Sequence, residues 1–263
     1  MTINNIAYVD LQAQWATEKK DLLRVINNVM SSGQLVGGKY VELFEKKIAK
    51  FCDVKYAVSL NSGTDALTIA LHCAGVKHGD EVITAPNSFI SSASVIAHLG
   101  AKPVFADVLD DQNIDPEAIE KVITKKTKAI IPVHLTGRVA RMDEIIKIAK
   151  KYNIKVVEDA AQSIGSKFKN KFSGSFGDIG CFSTHPLKNL NALGDGGFLT
   201  TNSRKIYERV KLLRNHGLEN RNNAKYFGYV SRMDTIQASI LNLRLKNLEK
   251  VIEKRRINAS FYF

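Results

Sequence analysis

Tyr56-Ala57-Val58-Ser59-Leu60-Asn61-Ser62-Gly63-Thr64-Asp65-Ala66-Leu67, running on to Ala74, decides the architecture. Tyr56–Leu60 has the length and composition of a short strand, Asn61–Gly63 is turn chemistry, and Thr64–Ala74 reads as a helix. The unit repeats downstream. Strands are predicted at Glu81–Ala85, Pro103–Asp107, Lys128–Val133 and Lys155–Glu158, alternating with helices at Ile90–Leu99, Pro116–Val122 and Met142–Lys151. Ile179–Ser183 and Gly197–Thr201 read as two short strands flanking a loop, and Ser203–Leu213 and Met233–Lys254 as helices. Upstream, helices are expected from about Asp10 to Met30, closed by Ser31, Ser32 and Gly33, and over Tyr40–Phe51. The fold class is therefore α/β, a mostly parallel central sheet covered by helices on both faces. In such sheets ligands lie at the carboxyl ends of the strands.

The chain has 263 residues, 44% hydrophobic and 24% charged, which is ordinary globular composition with enough apolar mass for a buried core. No repeat, low-complexity segment or Pro- or Gly/Ser-rich linker divides it. The 38 basic against 26 acidic side chains leave a formal charge of +12. That charge suits either a polyanion-binding surface or lysine-rich solvated helix faces. The lysines are spread along the whole chain without a nucleic-acid-binding motif, so no nucleic-acid partner is expected. Cys52, Cys73 and Cys181 fit neither a disulfide framework nor a metal knuckle, and no metal is expected. From the polar start (Thr2, Asn4, Asn5) no signal peptide is expected, and no apolar run reaches membrane-spanning length. A cytoplasmic protein without a membrane partner is the expectation. Gly33-Gln34-Leu35-Val36-Gly37-Gly38-Lys39 imitates a phosphate-binding P-loop. Tyr40 stands where Ser or Thr would hold magnesium, and a helix precedes it, so it reads as a turn.

Three segments that follow strands carry complementary chemistry. Asn61–Ala66 offers a glycine, two hydroxyls and a helix N-terminus to an anion, or else ordinary helix capping. Val156-Val157-Glu158-Asp159-Ala160-Ala161-Gln162-Ser163 places carboxylates where a strand ends, to meet a ring nitrogen or to cap a turn. Gly180–Leu190, followed by Gly194-Asp195-Gly196-Gly197, holds Lys188 in a constrained loop. Partial desolvation there disfavours the ammonium form and frees the amine to form a Schiff base. Phosphate cradle, carboxylate and lysine together are what pyridoxal 5'-phosphate (PLP) requires of a protein.

At these residues the chain resembles the DegT/DnrJ/EryC1/StrS sugar aminotransferases. The matching text is Gly63–Leu67, Gly79–Ile83, Glu158–Gln162, Pro186–Asn189, Gly194–Gly197 and Leu213–Gly217, and the resemblance extends from about Val9 to the final helix. It implies an aspartate-aminotransferase-like fold of type I, with residues 1–250 as the PLP-binding large domain. Residues 251–263 would begin a C-terminal small domain that is largely missing. By resemblance Lys188 would hold PLP and shuttle the proton, and Asp159 would bond the pyridine nitrogen. Gln162 would lie at the ring hydroxyl, and Gly63, Thr64 and Ser183 would take the phosphate. Phe89 would stack on the ring or serve as a core aromatic, and His185 would face the substrate or brace the loop.

The implied reaction moves an amino group from an amino-acid donor, glutamate, to a nucleotide-linked keto-sugar, in the setting of surface polysaccharide and within a homodimer. A dehydratase of the same fold would carry histidine in place of Lys188, and a non-catalytic truncated relative is the other alternative. One departure stands out. In Gly228-Tyr229-Val230-Ser231-Arg232 the family usually carries Asn where this chain has Val230; that Asn would reach the partner subunit's PLP phosphate.

Overall fold

The computed structural model describes residues 9–262, so the N-terminal residues behind the signal-peptide reading lie outside the described residues. Helix α1 (Leu11–Ser32) starts on Asp10, whose side chain accepts from the Ala13 N–H, and ends on Gly33 in the left-handed conformation. Helix α2 (Lys39–Phe51) follows directly. The P-loop look-alike is thus a helix stop and a helix start joined by a turn.

The alternation then unfolds as β1 (Tyr56–Leu60), α3 (Gly63–Ala74), β2 (Glu81–Thr84), α4 (Ser91–His98), β3 (Lys102–Phe105) and α5 (Pro116–Val122). Next come β4 (Thr127–Ile131), α6 (Met142–Tyr152) and β5 (Lys155–Asp159). A small hairpin, β6 (Lys167–Phe168) with β7 (Lys171–Phe172), precedes β8 (Ile179–Ser183) and β9 (Gly197–Thr201). Helix α7 (Arg204–Leu213), a second hairpin of β10 (Leu218–Asn220) with β11 (Asn223–Ala224), and helices α8 (Thr235–Arg244) and α9 (Leu248–Tyr262) complete the order.

The central sheet has seven strands in the order β1-β9-β8-β5-β4-β2-β3. Only β9 runs against its neighbours. Strands β1, β8 and β5 therefore end at the same edge, and the registers Leu60↔Gly197 and Ser183↔Gly197 put those ends side by side. Side chains alternate across the sheet as a doubly covered sheet demands. Val58, Cys181 and Leu199 pack toward α3 and α7, whereas Ala57, Phe182 and Phe198 pack toward α2 and α8. Phe182 and Phe198 are stacked cross-strand partners with ring centroids 4.5 Å apart, and Phe44 of α2 meets Phe198 edge-on.

The helix expected over Met233–Lys254 is two helices joined by a 3-10 turn at Leu245–Asn247. The backbone remains helical through the junction, but the surroundings change. Helix α8 buries Ala238, Ile240 and Leu241, whereas α9 buries only Leu248. The two small hairpins were not legible because each strand spans two or three residues, and the first turns through left-handed Lys169 and Asn170. Among the described residues no helix is long and apolar enough to cross a membrane.

Between β5 and β8 lies a fully buried carboxylate, Glu158. Its oxygens accept from the N–H groups of Gly174, Phe176 and Gly177, each at 2.7 Å, and from His134 Nε2 at 2.9 Å. His134 Nδ1 accepts from the Ala140 N–H at 3.2 Å, which leaves the ring proton on Nε2 to point at Glu158. Glu158→Ala should strand four donors, those of His134 and Gly174 buried and those of Phe176 and Gly177 half-buried, and lower unfolding free energy by about 3 kcal/mol or more. Denaturant melts check this; a loss below about 1 kcal/mol would mean that the donors find other partners.

Candidate active site

The carboxyl edge of β1, β8 and β5 opens into a cleft of about 440 Å³. All eight residues singled out from the sequence line it: Gly63, Thr64, Phe89, Asp159, Gln162, Ser183, His185 and Lys188.

One wall is the N-terminus of α3. Ser62 caps it by accepting from the Asp65 N–H, so the N–H groups of Gly63 and Thr64, in the first turn, are left for an anion. The fit around this cradle is close. A Cβ at Gly63 would lie 2.8 Å from Ser183 Cβ, and one at Gly197 would lie 2.3 Å from the Ser62 carbonyl carbon. Only glycine lets the cradle backbone lie against β8 and β9. The Thr64 and Ser91 hydroxyls are 2.9 Å apart, joining α3 to the first turn of α4. Phe89, just before α4, is 70% exposed with its ring at the cleft, which excludes the core-aromatic reading.

The floor is Asp159, only 6% exposed. Its Oδ2 accepts from Ser92 Oγ at 2.8 Å and its Oδ1 from the Ala161 N–H at 3.2 Å. Among the described residues it has no salt-bridge partner. Burial pushes its carboxyl above the ordinary carboxylate range, against the pull of those hydrogen bonds and of His134 and Lys188. A buried carboxylate with two neutral donors and no cation fits a site that receives a protonated ring nitrogen.

The Lys188 amine is held below the ordinary lysine range by burial, partly offset by the Asp159 charge. Its loop is anchored from far along the chain. Asn191 and Gln14 of α1 exchange side-chain hydrogen bonds at 3.0 and 3.2 Å, and Asn191 also donates to the Pro186 carbonyl at 2.8 Å. Arg244 of α8, itself buried, donates to the carbonyls of Asn191 and Ala192 and pairs with Glu18 of α1 at 2.8 Å. His185 combines two placements. Its ring lines the cleft, and Nδ1 accepts from the Leu187 N–H at 3.3 Å.

Gln162 Oε1 accepts from the Thr136 N–H at 2.9 Å, which leaves the Gln162 amide N–H groups as its free donors. Thr136 holds a left-handed φ of 53° to make that contact. The sequence reading missed His134, Ser92, Thr136, Asn191 and Arg244. The only signal for them was proximity to a strand end, or none. Val230 is not in the cleft; it is 58% exposed beside Ser231, whose hydroxyl donates to Asp65 Oδ2 at 2.7 Å. The three cysteines are free, and among the described residues no group of acidic, His or Cys side chains is placed to hold a metal.

The model of the DegT/DnrJ/EryC1/StrS aminotransferase family matches residues 16–263. A pleiotropic regulatory protein of Geobacillus stearothermophilus is 42% identical over 98% of this chain and 70% of its own length. A UDP-N-acetyl-3-dehydro-alpha-D-glucosamine 3-aminotransferase of Acidithiobacillus ferrooxidans is 40% identical over 100% of this chain and 72% of its own. The crystal structure of Streptomyces venezuelae DesV superposes with a TM-score of 0.90 at 36% identity, covering 93% of this chain and 66% of that one. The chain thus spans between 66% and 72% of the length of these relatives.

The raised carboxyl of Asp159 has a stability consequence whose sign is fixed. A carboxyl raised in the folded state favours folding only while protonated, and that contribution is lost as pH rises through the raised value. Wherever it is ionised, the buried carboxylate is therefore a net cost to the fold. Asp159→Asn, without cofactor, should melt about 2–4 °C above the parent at neutral pH. The gap should close as pH falls below the ordinary carboxylate range. A lower melting temperature at neutral pH would show that the charge stabilises the fold.

Proposed function

The chain belongs to the DegT/DnrJ/EryC1/StrS aminotransferase family, and from that premise we propose that it transfers an amino group from glutamate to a keto-sugar linked to a nucleoside diphosphate. The observation that carries the reading is the convergence of Lys188, Asp159 and the α3 N-terminus on one cleft. The cofactor is PLP. Bound there, it supplies an electron sink for the carbon that gains or loses nitrogen.

Each residue has a task that its surroundings support. The N–H groups of Gly63 and Thr64 and the Ser183 hydroxyl bind the phosphate. Asp159 holds a proton at the pyridine nitrogen, because a buried carboxylate favours a cation beside it. The free amide N–H groups of Gln162 would donate to the ring oxygen, and the exposed face of Phe89 would pack on the ring. Lys188 Nζ, whose ammonium form burial disfavours, would hold the cofactor at its aldehyde carbon, with the aldehyde oxygen leaving as water. With cofactor and amino donor in place, the same Nζ would carry the proton between the two carbons.

The substrate class has its own support. A second cleft of about 640 Å³ adjoins Lys188 and Gln162 and is lined by Arg255 and Arg256 of α9, with no acidic residue among its lining, which suits a diphosphate. The A. ferrooxidans relative is named for amination at C3 of a UDP-linked sugar, which makes a UDP-linked 3-keto-sugar the first substrate to try. Ile90, Val230 and Phe227 are exposed apolar side chains, and we read them as covered by a second copy in a homodimer. Biosynthesis of amino sugars for surface polysaccharide is the corresponding setting. Lys188 argues for transamination over dehydration.

The test is production of 2-oxoglutarate from glutamate in the presence of that keto-sugar and PLP. Lys188→Ala should reduce the rate by at least about 10⁴-fold, since both the covalent anchor and the proton carrier are lost. Turnover retained by Lys188→Ala would overturn the assignment.

A further inference from the structure

Asp159 does not hold its own orientation. Ser92, in the first turn of α4 and 1% exposed, places Oγ 2.8 Å from Asp159 Oδ2, and Ser88 Oγ lies 3.1 Å from Ser92 Oγ. The order of donation follows from valence. An ionised carboxylate can only accept, so the single Ser92 hydroxyl proton points at Asp159. Ser92 Oγ then has only lone pairs to offer, and Ser88 must be the donor to it. The result is a directed chain, Ser88 O–H to Ser92 O–H to the carboxylate, in which each bond polarises the next.

Its geometry also ties two parts of the cleft together. Ser92 lies one helical turn beyond Phe89, so the segment that presents the aromatic face at the cleft also grips the carboxylate beneath it. We infer that Ser92, itself oriented by Ser88, is a positioning residue that holds Asp159 Oδ2 and keeps the carboxylate ionised and facing the cleft. No side chain other than Ser92 hydrogen-bonds Asp159 among the described residues; its remaining bond comes from the Ala161 backbone.

Three other titratable groups act on the same carboxylate or stand against it. Lys188 faces it across the cleft, His134 follows β4 on the neighbouring strand path, and Cys181 lies beside it on β8. None of them is altered by a change at Ser92, which isolates the hydroxyl. The functional consequence rests on reading Asp159 as the partner of the cofactor's ring nitrogen, but the first test does not.

That test follows the Asp159 carboxyl by ¹³C NMR in cofactor-free protein labelled at aspartate, with Asp159→Asn identifying the signal. Ser92→Ala should raise the titration midpoint by about one pH unit or more, because a hydrogen bond to a charged acceptor is lost. Ser92→Thr should restore it, and Ser92→Cys, which keeps the shape with a weaker donor, should fall between. An unchanged midpoint in both Ser92→Ala and Ser92→Cys overturns the inference, and use of two variants covers the case in which one fails to fold. PLP affinity, measured by dialysis, then separates this inference from the cofactor reading. Both Ser92→Ala and Asp159→Asn should weaken it, the former by about tenfold. A shifted midpoint with PLP affinity unchanged in both variants would sustain the Ser92 role and sink the cofactor reading. Weakened affinity in Asp159→Asn with no shift in Ser92→Ala would do the reverse.

Discussion

Four hydrogen bonds to the buried carboxylate of Glu158 are the constraint on which the arrangement of the cleft depends. From β5 they reach two other parts of the chain, His134 beyond β4 and the Gly174–Gly177 turn that leads into β8. Asp159 is the next residue after Glu158, and β8 leads to Ser183 and the Lys188 loop. The spacing between carboxylate and lysine is therefore set one residue below the cleft, in the dry interior. Removing a carboxylate from water costs several kcal/mol, so this network adds less net stability than its bonds suggest. Its effect is to forbid other arrangements, since any of them would leave buried N–H groups unpaired.

A second layer of control comes from elements remote in sequence. The Lys188 loop would be a free excursion between β8 and β9 without Asn191, which Gln14 holds from α1, and Arg244, which holds two loop carbonyls from α8. Helices at opposite ends of the chain thus meet under one lysine. Strand β9 then returns antiparallel, so Gly197 falls beside both Leu60 and Ser183, where only a missing side chain leaves room for the cradle. The glycine-rich run before β9 is explained by that crowding at Gly197, and at Gly196 by the Thr184 hydroxyl, which a Cβ would approach to 2.3 Å.

Much of this was legible in the sequence because local patterns and strand-end chemistry suffice for it. The α/β alternation and the strand-end segments that carry Gly63, Thr64, Asp159 and Lys188 follow from such patterns, whereas Phe89, Gln162, Ser183 and His185 were singled out by the resemblance to the family. What escaped depends on partners distant in sequence. Nothing near Ser92 announces a bond to a residue 67 positions away, and nothing near His134 shows that its ring proton is committed to Glu158. The direction of β9 was equally hidden, because a short strand reads the same either way. The break at Leu245 reflects a change of surroundings from α8 to α9 that helical periodicity does not register.

The cleft carries its chemistry at a cost to the fold. Asp159 is buried without a cation, and Lys188 is partly desolvated with only that carboxylate to favour its charge. Both penalties are relieved together if a protonated ring nitrogen meets Asp159 and the lysine amine is consumed in a covalent bond. The most direct measurement is the visible spectrum of the protein mixed with PLP, followed by borohydride reduction and peptide mapping, with and without prior addition of glutamate. The account predicts a yellow species whose reduction fixes the label on Lys188, and fading of the colour with loss of that label when glutamate is added first. Label spread over surface lysines, or colour indifferent to glutamate, would contradict it.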